Sequence, residues 1–331
     1  MHWTHKFKQD KEYILKRFLS LLLCWTLLLS CAGVLSSCKA DFTNGNKPLV
    51  VTTIFAPYDF AKAVGGDRIE AHVLVKVTDS HSFSPTAADM ALIEECDLFI
   101  FTGGDGDRWA EDFLSTIDTS DKVILNMMEL CPLCEGEPHE HEHGHEEHHH
   151  EEATVYDEHV WMDPANAMRI TKAIRDGLTR IDPDGKNSYA ASADRYLNEL
   201  SHLDHDFRQM VDSAKRDTIV VADRFPYLYL CHAYGIEAHA ALAGCGSASD
   251  LTAVAYEALA HHVAEDSLPV IFCTEYSDRS IANTVLRESG SDAEIMALHS
   301  CHTLTRYEIA KGTTYLSLMR ENLRVLTIAL N

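Results

Sequence analysis

The chain has 331 residues, with 51 Asp and Glu against 28 Lys and Arg, and a formal net charge of -23. A surface of this sign repels nucleic acid and anionic lipid and concentrates cations, so it argues against a nucleic-acid-binding protein without identifying a ligand. The ten cysteines imply no full disulfide framework, because seven of them, an odd number, follow Cys38.

The first 37 residues have the pattern of a secretory signal peptide. Basic residues precede the apolar run Phe18–Val34, which is short for a membrane span and ends in Leu35-Ser-Ser-Cys38. This ending is typical of a bacterial lipobox, in which the cysteine is diacylated and becomes the new N-terminus. We expect a lipid anchor on Cys38; the alternatives are ordinary cleavage that leaves a plain thiol, or an uncleaved anchor.

The remainder alternates between predicted strands and predicted helices. The first series predicts strands at 49–55, 69–77, 97–101 and 123–125, with helices at 58–64, 87–95 and 109–116. Helices at 165–180 and 188–215 follow, and a second series predicts strands at 218–222, 236–243, 270–274 and 294–298, with helices at 225–234, 251–266, 280–289 and 315–330. Such alternation is typical of βαβ units and parallel sheets.

We therefore predict an α/β protein with two βα lobes, each with a parallel sheet, joined by a single long connecting helix. The expected domains are the signal peptide (1–37), an N-terminal lobe (38–186), the connecting helix (187–215) and a C-terminal lobe (216–331). In such sheets a ligand binds at the carboxyl ends of the strands.

A His-rich segment interrupts the first lobe at about 133–153. It carries seven of the twenty histidines: His139, His141, His143, His145, His148, His149 and His150. Imidazole suits zinc, copper and nickel, so we expect a mobile accessory metal collector; the alternative is an inert solvated loop. Two matches to the zinc-protease pattern arise only from the repetition of His and Glu, since the segment has no apolar helical face.

Just upstream, Cys131 and Cys134 have zinc-knuckle spacing but lack a second Cys/His pair at a set distance. Metal collection, a small disulfide and an inert pair all remain open for them.

Two other histidines lie between a predicted strand and a predicted helix. His81 lies in Asp79-Ser-His-Ser-Phe-Ser-Pro-Thr-Ala-Ala-Asp89, and His159 in Tyr156-Asp-Glu-His-Val-Trp-Met-Asp-Pro164. Alone, either histidine could be a structural hydrogen-bonding residue.

Together these two segments, with the His-rich segment between them, resemble the metal-specific solute-binding proteins of ABC importers, those for zinc and manganese. The resemblance extends from about Val50 to the C-terminus and implies that His81 and His159 are metal ligands. It also implies a third ligand after the strand at 218–221, where this chain has Ala222. Alanine cannot bind metal, so Asp223 is the candidate substitute, unless it pairs with Arg224.

The fourth ligand implied by the resemblance falls near the last strand. His299 and His302 are candidates there, with Cys301 as a further option and Glu275 as another carboxylate. His81, His159 and one of the two later histidines would give an imidazole-rich, near-tetrahedral site that favours Zn²⁺. A carboxylate-rich set would favour Mn²⁺.

The resemblance implies a lipid-anchored, extracytoplasmic protein, monomeric and not an enzyme, that captures Zn²⁺ between two lobes and delivers it to a separate ABC permease and its ATPase. No phosphate-binding GxxxxGK[ST] loop is present in the sequence. Metal affinity should fall as the pH drops through the histidine range, near ~6.5. The alternatives are a manganese or iron counterpart and a surface adhesin or metal buffer. A zinc hydrolase is disfavoured because no convincing helical motif supplies both an open metal position and a positioned general base.

Overall fold

The structure is a computed structural model that describes residues 47–75, 83–136, 155–243 and 252–331. Three of the sequence predictions lie outside these ranges: the lipid anchor at Cys38, the proposed ligand His81, and the His-rich residues 139–150. None of the described helices combines the length and the apolar character that a bilayer crossing requires.

The first half of the described chain forms a four-stranded parallel sheet with strand order β2-β1-β3-β4. Its strands are β1 (Leu49–Thr52), β2 (Glu70–Val73), β3 (Leu98–Phe101) and β4 (Val123–Asn126), and its helices are α1 (Phe55–Gly65), α2 (Ala87–Glu95) and α3 (Arg108–Leu114). Every residue of β1 and β3 is buried. Continuous apolar burial of this kind is expected of parallel strands that are covered on both faces.

Two helices lead from the first sheet to the second. Helix α4 (Pro164–Ile181) begins with proline after Asp163, whose side chain accepts a hydrogen bond from the Ala165 N–H. Proline lacks the N–H that is unpaired in a first turn, and the Asp163 cap satisfies another donor of that turn. Helix α5 (Lys186–Ser213) has 28 residues and buries one side, with side chains at helical spacing: Tyr189, Ala193, Leu200, Leu203, Phe207 and Met210.

The second half repeats the arrangement, with strand order β6-β5-β7-β8, again all parallel. The strands are β5 (Thr218–Phe225), β6 (Glu237–Ala243), β7 (Val270–Thr274) and β8 (Glu294–Leu298). The helices are α6 (Leu228–Tyr234), α7 (Ala253–Glu265), α8 (Ser280–Ser289), α9 (Arg306–Ala310) and α10 (Tyr315–Leu330). The predicted fold class, two parallel sheets with one long helix between them, is confirmed.

The main hydrophobic core is continuous across both halves. It includes Val50 and Ile100 of the first sheet, Leu203 of α5, and Val221 and Phe272 of the second sheet. A smaller cluster lies between the other face of the second sheet and helices α7 and α8. Because the two sheets share one core, a relative movement of the halves must keep most of these contacts and can only be small.

The structure departs from the sequence prediction at a few places. The first strand ends at Thr52 and not at Phe55, because Phe55 already begins α1. Helix α9 was not predicted, although its capping box is visible in the sequence: Thr305 and Glu308 each accept a hydrogen bond from the other's backbone N–H. Before His159, the expected strand end is only an isolated antiparallel bridge between Glu135 and Tyr156.

Asp59 is a buried carboxylate that joins three helices. It lies on α1, and its Oδ2 accepts hydrogen bonds from the Tyr196 hydroxyl of α5 at 3.1 Å and from the Tyr315 N–H of α10 at 3.0 Å. Burial raises the pKa of Asp59 to about 6, although the two hydrogen bonds oppose the increase. Ionised Asp59 therefore lowers the free energy of unfolding relative to protonated Asp59.

We expect Asp59→Asn to change the pH dependence of stability, because it keeps an acceptor oxygen and removes the charge. A carboxyl whose pKa is raised in the folded state stabilises the protein most below its unfolded pKa, and this stabilisation is lost as the pH rises through about 6. Between pH 4 and pH 7.5 the variant should gain about 2 kcal/mol in unfolding free energy relative to the wild type. Urea denaturation at several pH values measures this difference; a difference that does not vary with pH would contradict it.

Candidate metal centre

A small pocket lies where the carboxyl ends of strands from both sheets come together. Its polar lining is formed by Thr102, Asp107, Glu158, His159 and His302. Thr102 directly follows β3 of the first sheet, and His302 lies in the loop after β8 of the second. The pocket is thus at the position at which ligands bind in parallel α/β sheets.

His159 and His302 pack against the same indole. The ring centroids of His159 and His302 each lie 5.2 Å from that of Trp161, and the two imidazole centroids lie 5.8 Å apart and nearly perpendicular. Two imidazoles bound to one tetrahedral zinc, at Zn–N distances of about 2.0–2.1 Å, would have centroids roughly 5 Å apart. The observed separation is therefore compatible with two ligands to one ion after a small adjustment.

His159 is buried with a carboxylate partner. Its side chain is 2 % exposed, its backbone N–H donates to Asp157 Oδ1 at 2.9 Å, and its Nδ1 lies 3.1 Å from the same oxygen. Burial would by itself raise the pKa of Asp157, but the His159 ring and the two hydrogen bonds hold this pKa below its usual value. A carboxylate on the outer nitrogen of a metal-binding histidine is a recurrent arrangement in zinc sites.

The two carboxylates of the pocket were not among the predicted site residues. Glu158 Oε1 accepts the Gly106 N–H at 2.8 Å, and a Cβ on Gly104 (φ +74°) would lie 2.5 Å from that carboxylate oxygen. Asp107 Oδ2 accepts the Thr53 hydroxyl at 2.8 Å and the Thr102 N–H at 2.7 Å. Burial raises the pKa of Asp107 against these bonds. The sequence pointed to this part of the pocket only through the Gly-rich turn that follows the buried strand β3.

The loop that carries His302 is held by the partly buried carboxylate of Glu275. Glu275 Oε1 accepts the Ser300 hydroxyl at 2.6 Å, its Oε2 accepts the Ser300 N–H at 3.1 Å, and Ser300 Oγ in turn accepts the His302 N–H at 3.2 Å. Cys301, between them, is fully buried and has a φ of +56°, a conformation that is uncommon outside glycine. Strained backbone of this kind persists where surrounding contacts fix it, and it is concentrated at functional sites.

The structure separates the predicted second-lobe ligands. His302 lines the pocket with His159, whereas His299 lies beside Glu275, with its Nδ1 3.5 Å from Oε1, and accepts the Cys301 N–H at 2.9 Å. Burial lowers the pKa of His299, and among the residues that the structure describes its Nε2 has no hydrogen-bond partner. Glu275 is directed to Ser300 and does not line the pocket.

Strand β5 contributes no residue to the pocket lining. Ala222 is fully buried in the cluster on the outer face of the second sheet, and Asp223 Oδ2 accepts the Thr274 N–H at 3.2 Å and the Thr274 hydroxyl at 3.0 Å. Among the residues that the structure describes, no three His, Cys, Asp or Glu side chains are arranged to hold a metal ion.

Cys131 and Cys134 precede the histidines of the His-rich segment in the sequence. Both are free thiols, and burial raises the pKa of each. The Cys134 carbonyl accepts the Asp157 N–H at 3.1 Å, so this loop is attached to the segment that carries His159.

We expect Asp223→Ala to lower stability but not zinc content. The Thr274 N–H and hydroxyl would lose their acceptor in a partly buried position, which typically costs about 1–3 kcal/mol. Denaturation measures the stability, and elemental analysis after desalting measures the bound metal. Loss of zinc from a folded Asp223→Ala protein would instead make Asp223 a ligand.

Ser300→Ala should loosen the loop that carries His302. Glu275 would lose a hydroxyl donor and the His302 N–H would lose its acceptor, so we expect the unfolding free energy to fall by about 1–3 kcal/mol. Ser289→Ala is the matched control, because it also removes a partly buried serine hydroxyl, at the end of α8 and outside the pocket. Equal losses in both variants would contradict a special role for the Ser300 network.

Comparison with known proteins places these observations in a family. The ZnuA family model, described as the periplasmic component A of a zinc-uptake complex, matches residues 50–329. This range contains both sheets and the long helix between them.

Individual relatives are similar over most of the chain. The zinc-binding lipoprotein AdcA of Streptococcus pneumoniae is 29% identical over 307 residues, which are 91% of this chain and 60% of AdcA. The high-affinity zinc uptake system protein ZnuA of Bacillus subtilis is 28% identical over 304 residues, 92% of this chain and 93% of that protein. The solved structure of the metal-dependent lipoprotein YcdH of Bacillus subtilis has a TM-score of 0.71 at 25% identity and matches 86% of this chain and 99% of its own. This chain thus spans about three fifths of the streptococcal relative.

Proposed function

This chain belongs to the ZnuA family of periplasmic zinc-uptake components, which are transport proteins and not enzymes, and we propose that it captures Zn²⁺ between its two lobes and delivers it to an ABC permease. The observation that carries the proposal is the pair of imidazoles, one from each half of the chain, packed on Trp161 in one pocket. Zinc is here the cargo, bound and then released.

The proposed ligands are His159 of the first lobe, His302 of the second and His81, which lies outside the described residues. Three neutral imidazoles make a site of borderline softness that suits zinc, and a fourth position remains for water or for a pocket carboxylate. Glu158 and Asp107 line the same pocket and are the nearest carboxylate candidates. A manganese site would require a set dominated by oxygen ligands.

Delivery of the metal requires that the pocket open. Because His159 and His302 come from different halves, a small relative movement of the lobes would separate the ligands and release the ion. The continuous core and the 28-residue helix α5 favour such a limited adjustment over a wide hinge opening.

The proposed setting is extracytoplasmic, with the lipid anchor on Cys38, and the proposed partners are a separate metal permease and its ATPase. Support comes from the periplasmic description of the family and from the relative that is called a zinc-binding lipoprotein. The His-rich residues 139–150 would then be an accessory metal collector. The proposed lobe boundaries are those of the sequence, with α5 as the connector.

We expect the purified full chain, equilibrated with equimolar zinc and manganese and then desalted, to retain about one zinc per pocket, as measured by mass spectrometry. His81→Ala, His159→Ala and His302→Ala should each release it, whereas His202→Ala, on the exposed side of α5, should not. Deletion of residues 139–150 should leave the pocket zinc in place. Loss of all tightly held zinc on that deletion alone would favour a metal buffer, and retained manganese would favour the manganese alternative.

Uptake in cells separates an importer from a surface adhesin or buffer. A strain that lacks this protein should accumulate less zinc and grow poorly when zinc is chelated, and the wild-type chain should restore both. His302→Ala should fail to restore them at equal abundance. Normal zinc uptake without the protein would exclude the delivery role even if the pocket binds zinc.

A further inference from the structure

Asp157 makes more contacts to the surrounding backbone than to the pocket itself. Its Oδ1 receives the His159 N–H at 2.9 Å and lies 3.1 Å from His159 Nδ1. Its own N–H donates to the Cys134 carbonyl at 3.1 Å. The side chain of Asp157 is 6 % exposed, so these contacts are protected from competition by water.

This geometry selects one tautomer of His159. A carboxylate oxygen only accepts hydrogen bonds, so the contact to Nδ1 requires that this nitrogen carry the proton. The neutral ring then has its lone pair on Nε2, the nitrogen remote from Asp157. A metal binds an imidazole through such a lone pair, and the hydrogen bond of the other nitrogen determines which one is available.

Asp157 is in turn held by a residue of the second lobe. The hydroxyl of Tyr229, on helix α6, donates to the Asp157 carbonyl at 2.9 Å and accepts the Cys134 N–H at 3.1 Å. Tyr229 is 2 % exposed. One buried hydroxyl therefore joins the two chain segments that enclose Asp157, and it reaches them from the other half of the molecule.

We propose that Asp157 is a positioning residue that fixes the tautomer and orientation of His159, and that Tyr229 fixes Asp157 from the second lobe. A hydrogen bond from the second lobe, that of Tyr229, then helps to determine which nitrogen of His159 in the first lobe binds zinc. This effect is separate from any metal ligand that the second lobe supplies. Movement of α6 away from the first lobe releases Asp157 and so lowers the zinc affinity, even before a metal ligand moves away from the ion. This proposal rests on the proposed zinc capture.

The first test compares two tyrosines of the same short helix. Tyr229→Phe removes the hydroxyl that contacts Asp157, whereas Tyr234→Phe removes a hydroxyl that donates to Asp204 on α5 at 3.0 Å. Both tyrosines are buried; Tyr229→Phe loses two hydrogen bonds, to the Asp157 carbonyl and from the Cys134 N–H, and Tyr234→Phe loses one. We expect Tyr229→Phe to bind zinc roughly two- to tenfold more weakly, mainly through faster release, and Tyr234→Phe to bind it like the wild type. Equal affinity of the two variants would overturn the role of Tyr229.

The second test addresses Asp157 itself. Asp157→Ala should weaken zinc binding by about 10–100-fold, as is usual for a residue that orients a metal ligand, and Asp157→Asn, which keeps an acceptor oxygen, should recover part of the loss. Competition with a fluorescent zinc chelator measures affinity, and circular dichroism verifies the fold. An Asn variant as weak as the Ala variant would indicate that the hydrogen bond alone does not position the ring.

The third measurement does not depend on zinc binding. In the metal-free full chain labelled with ¹⁵N-histidine, nitrogen shifts at pH 8 report which ring nitrogen is protonated, and His159→Gln identifies the signal by its disappearance. We expect protonated Nδ1 in the wild type and in Tyr234→Phe, and a shift towards protonated Nε2 in Asp157→Ala. Protonated Nε2 in the wild type would overturn the proposal. If the tautomer is as expected but the wild type holds no zinc, the proposed function fails while the positioning of His159 stands.

Discussion

Trp161 joins the two halves of this molecule at the pocket. Its indole N–H donates to the Ser300 carbonyl at 2.8 Å, and its backbone carbonyl accepts the Tyr315 hydroxyl at 2.7 Å. The rings of His159 and His302 both pack against its indole ring. A large, fully buried aromatic side chain with a satisfied polar group is a rigid platform. The separation of the two imidazoles depends on this platform, and so does the chemistry that the pocket can perform.

Most of the fold was predictable because its signals are local. Runs such as 270–274 and 294–298 are apolar strands bounded by turn residues, and the structure gives them those same limits. Errors occurred where a competing local interaction decides the boundary. Thr305 and Glu308 cap a helix of only five residues, too short for a clear hydrophobic period, and strand β1 is cut short by the start of α1.

The part of the candidate site in the first lobe was easier to predict from the sequence than the part in the second lobe. The segment from Asp157 to Trp161 is compact, so its histidine, the acceptor for its ring and its aromatic platform are visible together in the sequence. The second lobe supplies residues through separate loops, and the sequence alone could not choose between His299 and His302. That choice depends on the loop after β8, where Glu275 is bound to Ser300 and only His302 reaches the pocket.

The hydrogen bond between Asp59 and Tyr315 joins residues that are 256 positions apart. Helix α1 is among the first described elements to leave the ribosome, yet its carboxylate reaches its backbone donor only when the C-terminal helix has been synthesised. Contacts of such sequence separation slow folding, because a long loop must close before they form. The hydrogen bond from Tyr315 to Asp59 can therefore form only after almost the whole chain has been synthesised, although Asp59 itself lies near the start of the described residues.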